Sequence, residues 1–395
     1  MKVSDSVKAL EPRLIEWRHD LHANPETAFE EHRTAAFVAR ELRAAGLEVH
    51  EGIGRTGVVA VLRNGDGPSV GLRADMDALD ITETTGVPYA STTPGKMHAC
   101  GHDGHTAMLL GAACHMAANP PTRGTVVFIF QPAEENEGGA RVMVEDGLFD
   151  RFPVDCVFGM HNWPGLPVGQ FALHSGAMMA AQDNFELKII GKGSHAGMPH
   201  QGIDPILVAG QVNTAWQAIV SRTLSPADAG VISITQIHAG DTWNIIPESV
   251  LIRGTARSLS PDVRDRLEAE MGHRARLVAE TFGARVEFDY QRRYPATINT
   301  PAETDIARAA SEAVAGEDAI RQDMPASMGA EDFSFMLQKK PGAYIWMGNG
   351  SAEGGRNLHN PNYDFNDDAL TIGVQYWIEV ARRALERSSS AMDRL

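Results

Sequence analysis

Over its first 180 residues the chain alternates two hydrophobic rhythms, and this alternation is what most restricts the fold. Helix-like spacing occurs in "VKALEPRLIEWRHDLHANPE", which should end near Pro25, and in "EHRTAAFVARELRAAGLEV", where Gly46 is the expected stop. It recurs in "DGHTAMLLGAACHMA", with Asp103 as the expected N-cap, and in "GGARVMVEDGLF". Between them lie short apolar runs of strand character: "TGVVAVLRN", "PSVGLRADMDAL", "GTVVFIFQPAEE" and "VDCVFGMHNW". Strands that alternate with helices predict a three-layer α/β domain around a mostly parallel sheet.

The rhythm changes near Gln182. A strand "DNFELKIIGKG" is followed by a helix "DPILVAGQVNTAWQAIVSRT" and two strands, "AGVISITQIHAG" and "ESVLIRGTARSL". A helix "SPDVRDRLEAEMGHRARLVAETFG" and a strand "ARVEFDYQRRYP" complete the set. The order β-α-β-β-α-β predicts a ferredoxin-like α+β domain. After Asn299 the α/β rhythm returns. The expected division is a large domain from 1–182 and 299–395, with a small domain, 183–298, inserted into it.

The chain has 395 residues, 43% of them hydrophobic and 22% charged, which is the composition of a globular protein. Its formal net charge of -16 argues against nucleic acid or an anionic membrane as the main partner. No run approaches the length of a membrane span, and the N-terminal residues lack the apolar core of a signal peptide. Cys100, Cys114 and Cys156 are an odd, small set, which suggests reduced thiols and a cytoplasmic protein.

In open α/β sheets, sites form beyond the carboxyl ends of the strands. Asp75 and Asp77 follow "VGLRA", Glu134 and Glu135 follow "VVFIFQPA", His161 follows "VFGM", and His359 lies a loop beyond "YIWMGNG". Cys100 and His102 stand one residue apart at the start of a helix. A thiolate and an imidazole suit zinc, or else manganese, cobalt or nickel. With a carboxylate and two more imidazoles they would make a two-metal site, in which a thiolate can bridge. The glutamate pair then divides naturally, one binding metal and the other moving a proton. The remaining polar residues have plainer readings. His98 and His105 read as surface or hydrogen-bonded core histidines, Asp75 as a possible cap, and Cys114 and Cys156 as core.

The segments "GLRADMDALDI", "MHACGHDGHTAMLLGAA", "FIFQPAEENEGGARVMVEDGLFD", "GMHNWPGLPVG", "GKGSHAGMPHQGIDPI", "NIIPESVLIRGTAR", "GAEDFSFML" and "LHNPNYDFND" resemble the M20 metallopeptidase family. They match its aminoacylase/hippurate hydrolase branch, which includes plant auxin-conjugate hydrolases. The resemblance spans nearly the whole chain. It implies a di-metal catalytic domain and a lid or dimerisation domain. It implies that Cys100 bridges two divalent ions and that His102, Glu135, His161 and His359 are the other ligands. Glu134 resembles the general base and acid, and Asp77 the residue that orients a ligand. Asp75 stands where other branches carry a metal-binding histidine. His195 resembles an oxyanion donor from the lid, and Asn244 and Arg257 resemble binders of a substrate carboxylate. Glu331 and Asp332 read as structural support, and Gly348 and Gly350 as points of close backbone approach.

The expected activity is hydrolysis of the amide of N-acyl amino acids, with hippurate-like, N-acetyl and arylacetyl conjugates as leading substrates. The expected cofactors are two divalent ions (Mn, Zn, Co or Ni), and the expected assembly is a homodimer or larger. The alternatives are a dipeptidase or carboxypeptidase of the same family, a thiol hydrolase with Cys100 as nucleophile, and a metal-binding protein without turnover.

Overall fold

The computed structural model describes residues 1–135 and 137–386. The chain divides into two units, one holding Met1–Met178, Ile298–Pro325 and Asp332–Leu395, the other Met179–Thr297 and Ala326–Glu331.

The larger unit is built on an eight-stranded sheet. Its order is Glu48–Ile53, Gly57–Asn64, Gly124–Gln131, Ser69–Asp75, Cys156–Trp163, Gly342–Gly348, Phe171–Ala172 and Ile320–Arg321. The four central strands run parallel. Antiparallel pairing is confined to the flanks. The central strands are buried on both faces, as a parallel sheet covered by helices requires. Val126, Phe128 and Phe130 share one core with residues of the helices Glu11–Ala23, His32–Ala44, His102–Ala118 and Leu370–Glu386. The alternate residues Val127 and Ile129 are also fully or almost fully buried, and the period of two puts them on the other face. Register then fixes where the chemistry lies. Asp75 pairs with Gln131, and Arg73 with Gly159, so Asp75 and His161 each lie two residues further along at the same end of the sheet.

The smaller unit is a four-stranded antiparallel sheet in the order Gly230–His238, Ser249–Ser258, Ala181–Ile190, Arg285–Tyr294. This is the ferredoxin-like order. Along Ala181–Ile190 the burial alternates strictly. Phe185, Leu187 and Ile189 join Val208, Val212 and Trp216 of the helix Pro205–Ala218, and Leu267, Met271 and Ala275 of the helix Pro261–Thr281, in one core. A buried ion pair, Asp183 with Arg264, carries a further bond from Tyr290 to Asp183 at 2.8 Å.

Two local expectations are corrected. The first predicted helix is two, Asp5–Lys8 and Glu11–Ala23, because Pro12 has no N–H and is tolerated only in a first turn. Asp103 is not an N-cap: Gly101 holds that position in a left-handed conformation, and Asp103 falls inside the first turn. Among the described residues no helix is long and apolar enough to cross a membrane.

Candidate metal centre

Cys100 and His102 flank Gly101 where the chain enters the helix His102–Ala118, at the end of the sheet where Asp75 and His161 sit. All of these side chains are buried. His161 Nε2 lies 3.3 Å from Cys100 Sγ, while its Nδ1 donates to the carbonyl of Asn162 at 2.6 Å. His102 Nδ1 donates in the same way to the carbonyl of Asp77 at 2.8 Å. In both rings this contact occupies Nδ1 as the donor, so Nε2 is the nitrogen that a metal would take from the neutral ring. His102 Nε2 has no hydrogen-bond partner although it is buried.

Glu134 and Glu135 leave the end of the strand Gly124–Gln131 through Pro132 and Ala133. Asp77 holds both at the backbone, Oδ1 accepting from the Glu134 amide at 3.0 Å and Oδ2 from the Glu135 amide at 2.9 Å. His359, half-exposed and in a left-handed conformation, brings Nε2 to 3.0 Å from Glu135 Oε1. The candidate ligands therefore gather in two sets. The donor atoms of Cys100, His102 and His161 lie within 4.8 Å of one another, and so do those of Cys100, Glu135 and His359. Cys100 belongs to both. Glu134 completes a further set with His102 and Glu135.

The electrostatics of the cluster suit a cation. Burial pushes the Cys100 thiol well up, and the carboxylates of Glu135, Glu134 and Asp75 push it further. Burial alone would lower His102, but the carboxylates of Asp75 and Asp77 outweigh it and hold the ring at about 10. Burial and the neighbouring His105 lower His161.

Asp75 contacts His105 Nδ1 at 2.6 Å and accepts from Arg73 at 2.8 Å. Arg73, fully buried, also reaches Gln131 and Asp332. Asp75 thus supports the centre from behind, with its Oδ2 3.7 Å from His102 Nε2. His105 is a hydrogen-bonded core histidine, its Nε2 accepting from the Asn162 amide at 3.0 Å. His98 is buried without a hydrogen-bond partner on either ring nitrogen, and burial lowers it to about 4. Cys156 is buried in the core, whereas Cys114 is only partly buried. Asp332 is bound to Arg73, Gln131 and the Ala140 amide, a supporting role within the sheet end.

In the smaller unit His195 and Asn244 are neighbours. His195 pairs with Ile245 across a short ladder, and the Ala196 amide donates to the Asn244 carbonyl at 2.9 Å. The Gly197 amide donates to His195 Nδ1 at 3.0 Å, which leaves the proton of the neutral ring on the exposed Nε2. Arg257 lies in the strand Ser249–Ser258, bound to Thr255 Oγ1 and to the Ala256 carbonyl. Among the described residues it has no carboxylate within ion-pair distance, and half-burial lowers its pKa.

The family profile described as peptidase family M20/M25/M40 matches residues 71–383. The chain belongs to this family. It is 40% identical over 384 residues to an N-acetylcysteine deacetylase of Bacillus subtilis, covering 96% of this chain and 98% of the relative. It is 40% identical to a hippurate hydrolase of Campylobacter jejuni, covering 93% and 96%. Among solved structures it matches the Bacillus subtilis YXEP protein, described as a dinuclear metal-binding peptidase of the M20 family. That match has a TM-score of 0.86 and 36% identity over 98% of this chain and all of the other.

The donors of this M20 chain fit two divalent ions. Thiolate, imidazole and carboxylate are the donor types that zinc, manganese, cobalt and nickel accept. The buried His102 Nε2 lacks a hydrogen-bond partner, and a cation would satisfy it. Sequence reasoning missed Glu31, Arg73, Asn162 and Tyr363. Tyr363 donates to Asn162 at 2.8 Å, and Asn162 in turn donates to the Cys100 carbonyl at 2.6 Å. No local pattern marks these residues, because their partners are far away in the sequence.

Proposed function

We infer that the protein is a metal-dependent amidohydrolase that splits N-acyl amino acids into a carboxylic acid and a free amino acid. The observation that carries the reading is the pair of donor sets joined at Cys100, with Glu134 beside them. The names of the relatives, an N-acetylcysteine deacetylase and a hippurate hydrolase, support the substrate class.

Cys100, His102 and His161 would hold one ion, and Cys100, Glu135 and His359 the other. When bound there, such ions would supply Lewis acidity to the acyl carbonyl and would make water a nucleophile near neutral pH. Glu134 takes the proton of the attacking water. Oxygen bonds to the acyl carbon, the carbon–nitrogen bond breaks, and Glu134 returns the proton to the leaving amine. Asp77 keeps Glu134 and Glu135 in place through their amides. His195 donates from Nε2 to the oxyanion, and its hydrogen bond from Gly197 supports that tautomer. Arg257, with no carboxylate of its own, binds the substrate carboxylate together with Asn244. The larger unit serves as the catalytic domain and the smaller one as the lid; their bounds differ from the expected 1–182 with 299–395 and 183–298 by a few residues at each junction and by Ala326–Glu331, which lies in the smaller unit. The edge strand Gly230–His238 with exposed Ile237, Trp243 and Ile245 supports a homodimer formed through the lid. The three free cysteines Cys100, Cys114 and Cys156 support a cytoplasmic location.

A Cys100–His161 thiol mechanism has the right distance but leaves the second donor set, Glu135 and His359, and the neighbouring Glu134 without a task. The test is amine release by manganese-loaded protein, with and without chelator. The substrates are N-acetylcysteine, N-benzoylglycine, other N-acetyl amino acids, an indoleacetyl conjugate and a dipeptide. Chelator-sensitive release from the acyl amino acids is expected, and Glu134→Gln should keep its metal while losing at least ~100-fold in kcat. Release only from the dipeptide would make the protein a peptidase. Chelator-insensitive release would point to the thiol.

A further inference from the structure

Three consecutive main-chain amides at the end of the strand Gly124–Gln131 donate to two buried carboxylates. Glu134 and Glu135 donate to Asp77, as described above. The Ala133 amide donates to Glu31 Oε1 at 2.9 Å. Ala133 is left-handed, with φ 52°, a conformation that a non-glycine residue keeps only when its surroundings hold it. It is also fully buried, so its amide has no water to fall back on.

Glu31 is itself fully buried, just before the helix His32–Ala44. Its Oε1 accepts a second amide, that of Phe29, at 3.0 Å, and its Oε2 accepts the Thr56 hydroxyl at 2.5 Å. Phe29 is left-handed too, with φ 61°. One side chain thus joins the segment before a helix, the turn between the strands Glu48–Ile53 and Gly57–Asn64, and the loop that carries the glutamate pair. Burial and the nearby Asp77 raise its carboxyl to about 7.

We propose that Glu31 is a positioning residue for Glu134 and Glu135, acting through the amide of Ala133. The φ of Ala133 sets the direction in which the chain leaves toward Glu134. Without Glu31 the amide is buried and unpaired, and rotation of Ala133 toward right-handed values relieves it. That rotation swings the next two residues against the hold of Asp77. What the pair does rests on the amidohydrolase reading above; how it is held does not.

The test compares Glu31→Ala, Glu31→Asp and Glu31→Gln with the wild type. It reads kcat and KM per folded, metal-loaded molecule, together with the visible spectrum and metal affinity of the cobalt-substituted proteins. Glu31→Ala should lower kcat by about 10–100-fold with KM nearly unchanged, shift the cobalt spectrum and weaken cobalt retention by a similar factor. Glu31→Asp, one methylene short of Ala133, should fall in the same direction, and it serves where the alanine variant does not fold. Glu31→Gln should recover kcat and spectrum. Its amide oxygen can accept from Ala133 and Phe29 while its NH2 donates to Thr56. Wild-type kcat and spectrum in the alanine or aspartate variant would overturn the proposal, and so would a glutamine variant as impaired as the alanine one. If the wild type releases no amine from any substrate, the amidohydrolase reading falls, while the cobalt spectra still decide the role of Glu31.

Discussion

His22 shows how much a single buried ring can weigh in this chain. It lies without solvent contact between Asp103, at 2.8 Å, and Glu83, at 3.3 Å. Burial alone would lower it, but hydrogen bonds with these two carboxylates hold it at about 9, above its ordinary 6.5. A histidine raised in the folded state stabilises fully below its unfolded pKa, and that contribution fades as pH climbs through the folded value. Between pH 6.5 and 9.5 the wild type should therefore lose up to about 3 kcal/mol that His22→Gln does not lose. Urea unfolding at both pH values measures the difference, and parallel losses in the two proteins would remove His22 as the cause. At this scale the sequence was legible as to which side chains gather, where they sit at a strand end or a helix start, as with Cys100, His102, Glu135 and His161. Glu31 was not legible, because its meaning comes from Ala133, 102 residues away. His22, Arg73 and Asn162 were opaque for the same reason.

The helix His102–Ala118 owes its starting geometry to Gly101, whose φ is 91°. A Cβ there would stand 2.4 Å from both Asn162 Nδ2 and Tyr363 Oη, the atoms that brace the Cys100 carbonyl. Gly101→Ala should cost about 3 kcal/mol, through strain and collision together, and should weaken cobalt binding at the centre. Gly86→Ala is the control: its φ is 71°, but a Cβ there meets nothing within 4 Å. Only the left-handed penalty of about 1–2 kcal/mol is then expected, with cobalt affinity intact. Thermal melts and cobalt titration of both variants check this, and equal cobalt affinities would detach Gly101 from the centre. Elements with several turns or a clear period of two were readable. Phe171–Ala172 and Ile320–Arg321 have only two residues each and thus no period to read. Asp103 misled because capping residues and buried ion-pair residues are the same types, and only the fold reveals Arg18 and His22 opposite it.

For the whole molecule, the alternating rhythm and its interruption near Gln182 gave the parallel-centred sheet and the ferredoxin-like order, since both follow from the sequence of element types. The sequence does not say that Arg257 has no carboxylate within ion-pair distance among the described residues. Arg257→Ala should raise KM about 10–100-fold for acyl amino acids with a free carboxylate and leave their methyl esters nearly unaffected. Initial rates on matched acid and ester pairs measure this, and an equal effect on both would remove the carboxylate role. The grip on residues 133 to 135 has a consequence for how such a molecule can change. Glu31 and Asp77 hold it by peptide N–H groups alone, which every amino acid except proline provides. The two side chains that emerge there are therefore plugged into a socket that does not read them. Exchanging either glutamate forfeits none of those three hydrogen bonds. Descendants of this chain could try a different donor or a different proton carrier by single replacements, on a frame that keeps its shape while its chemistry is rewritten.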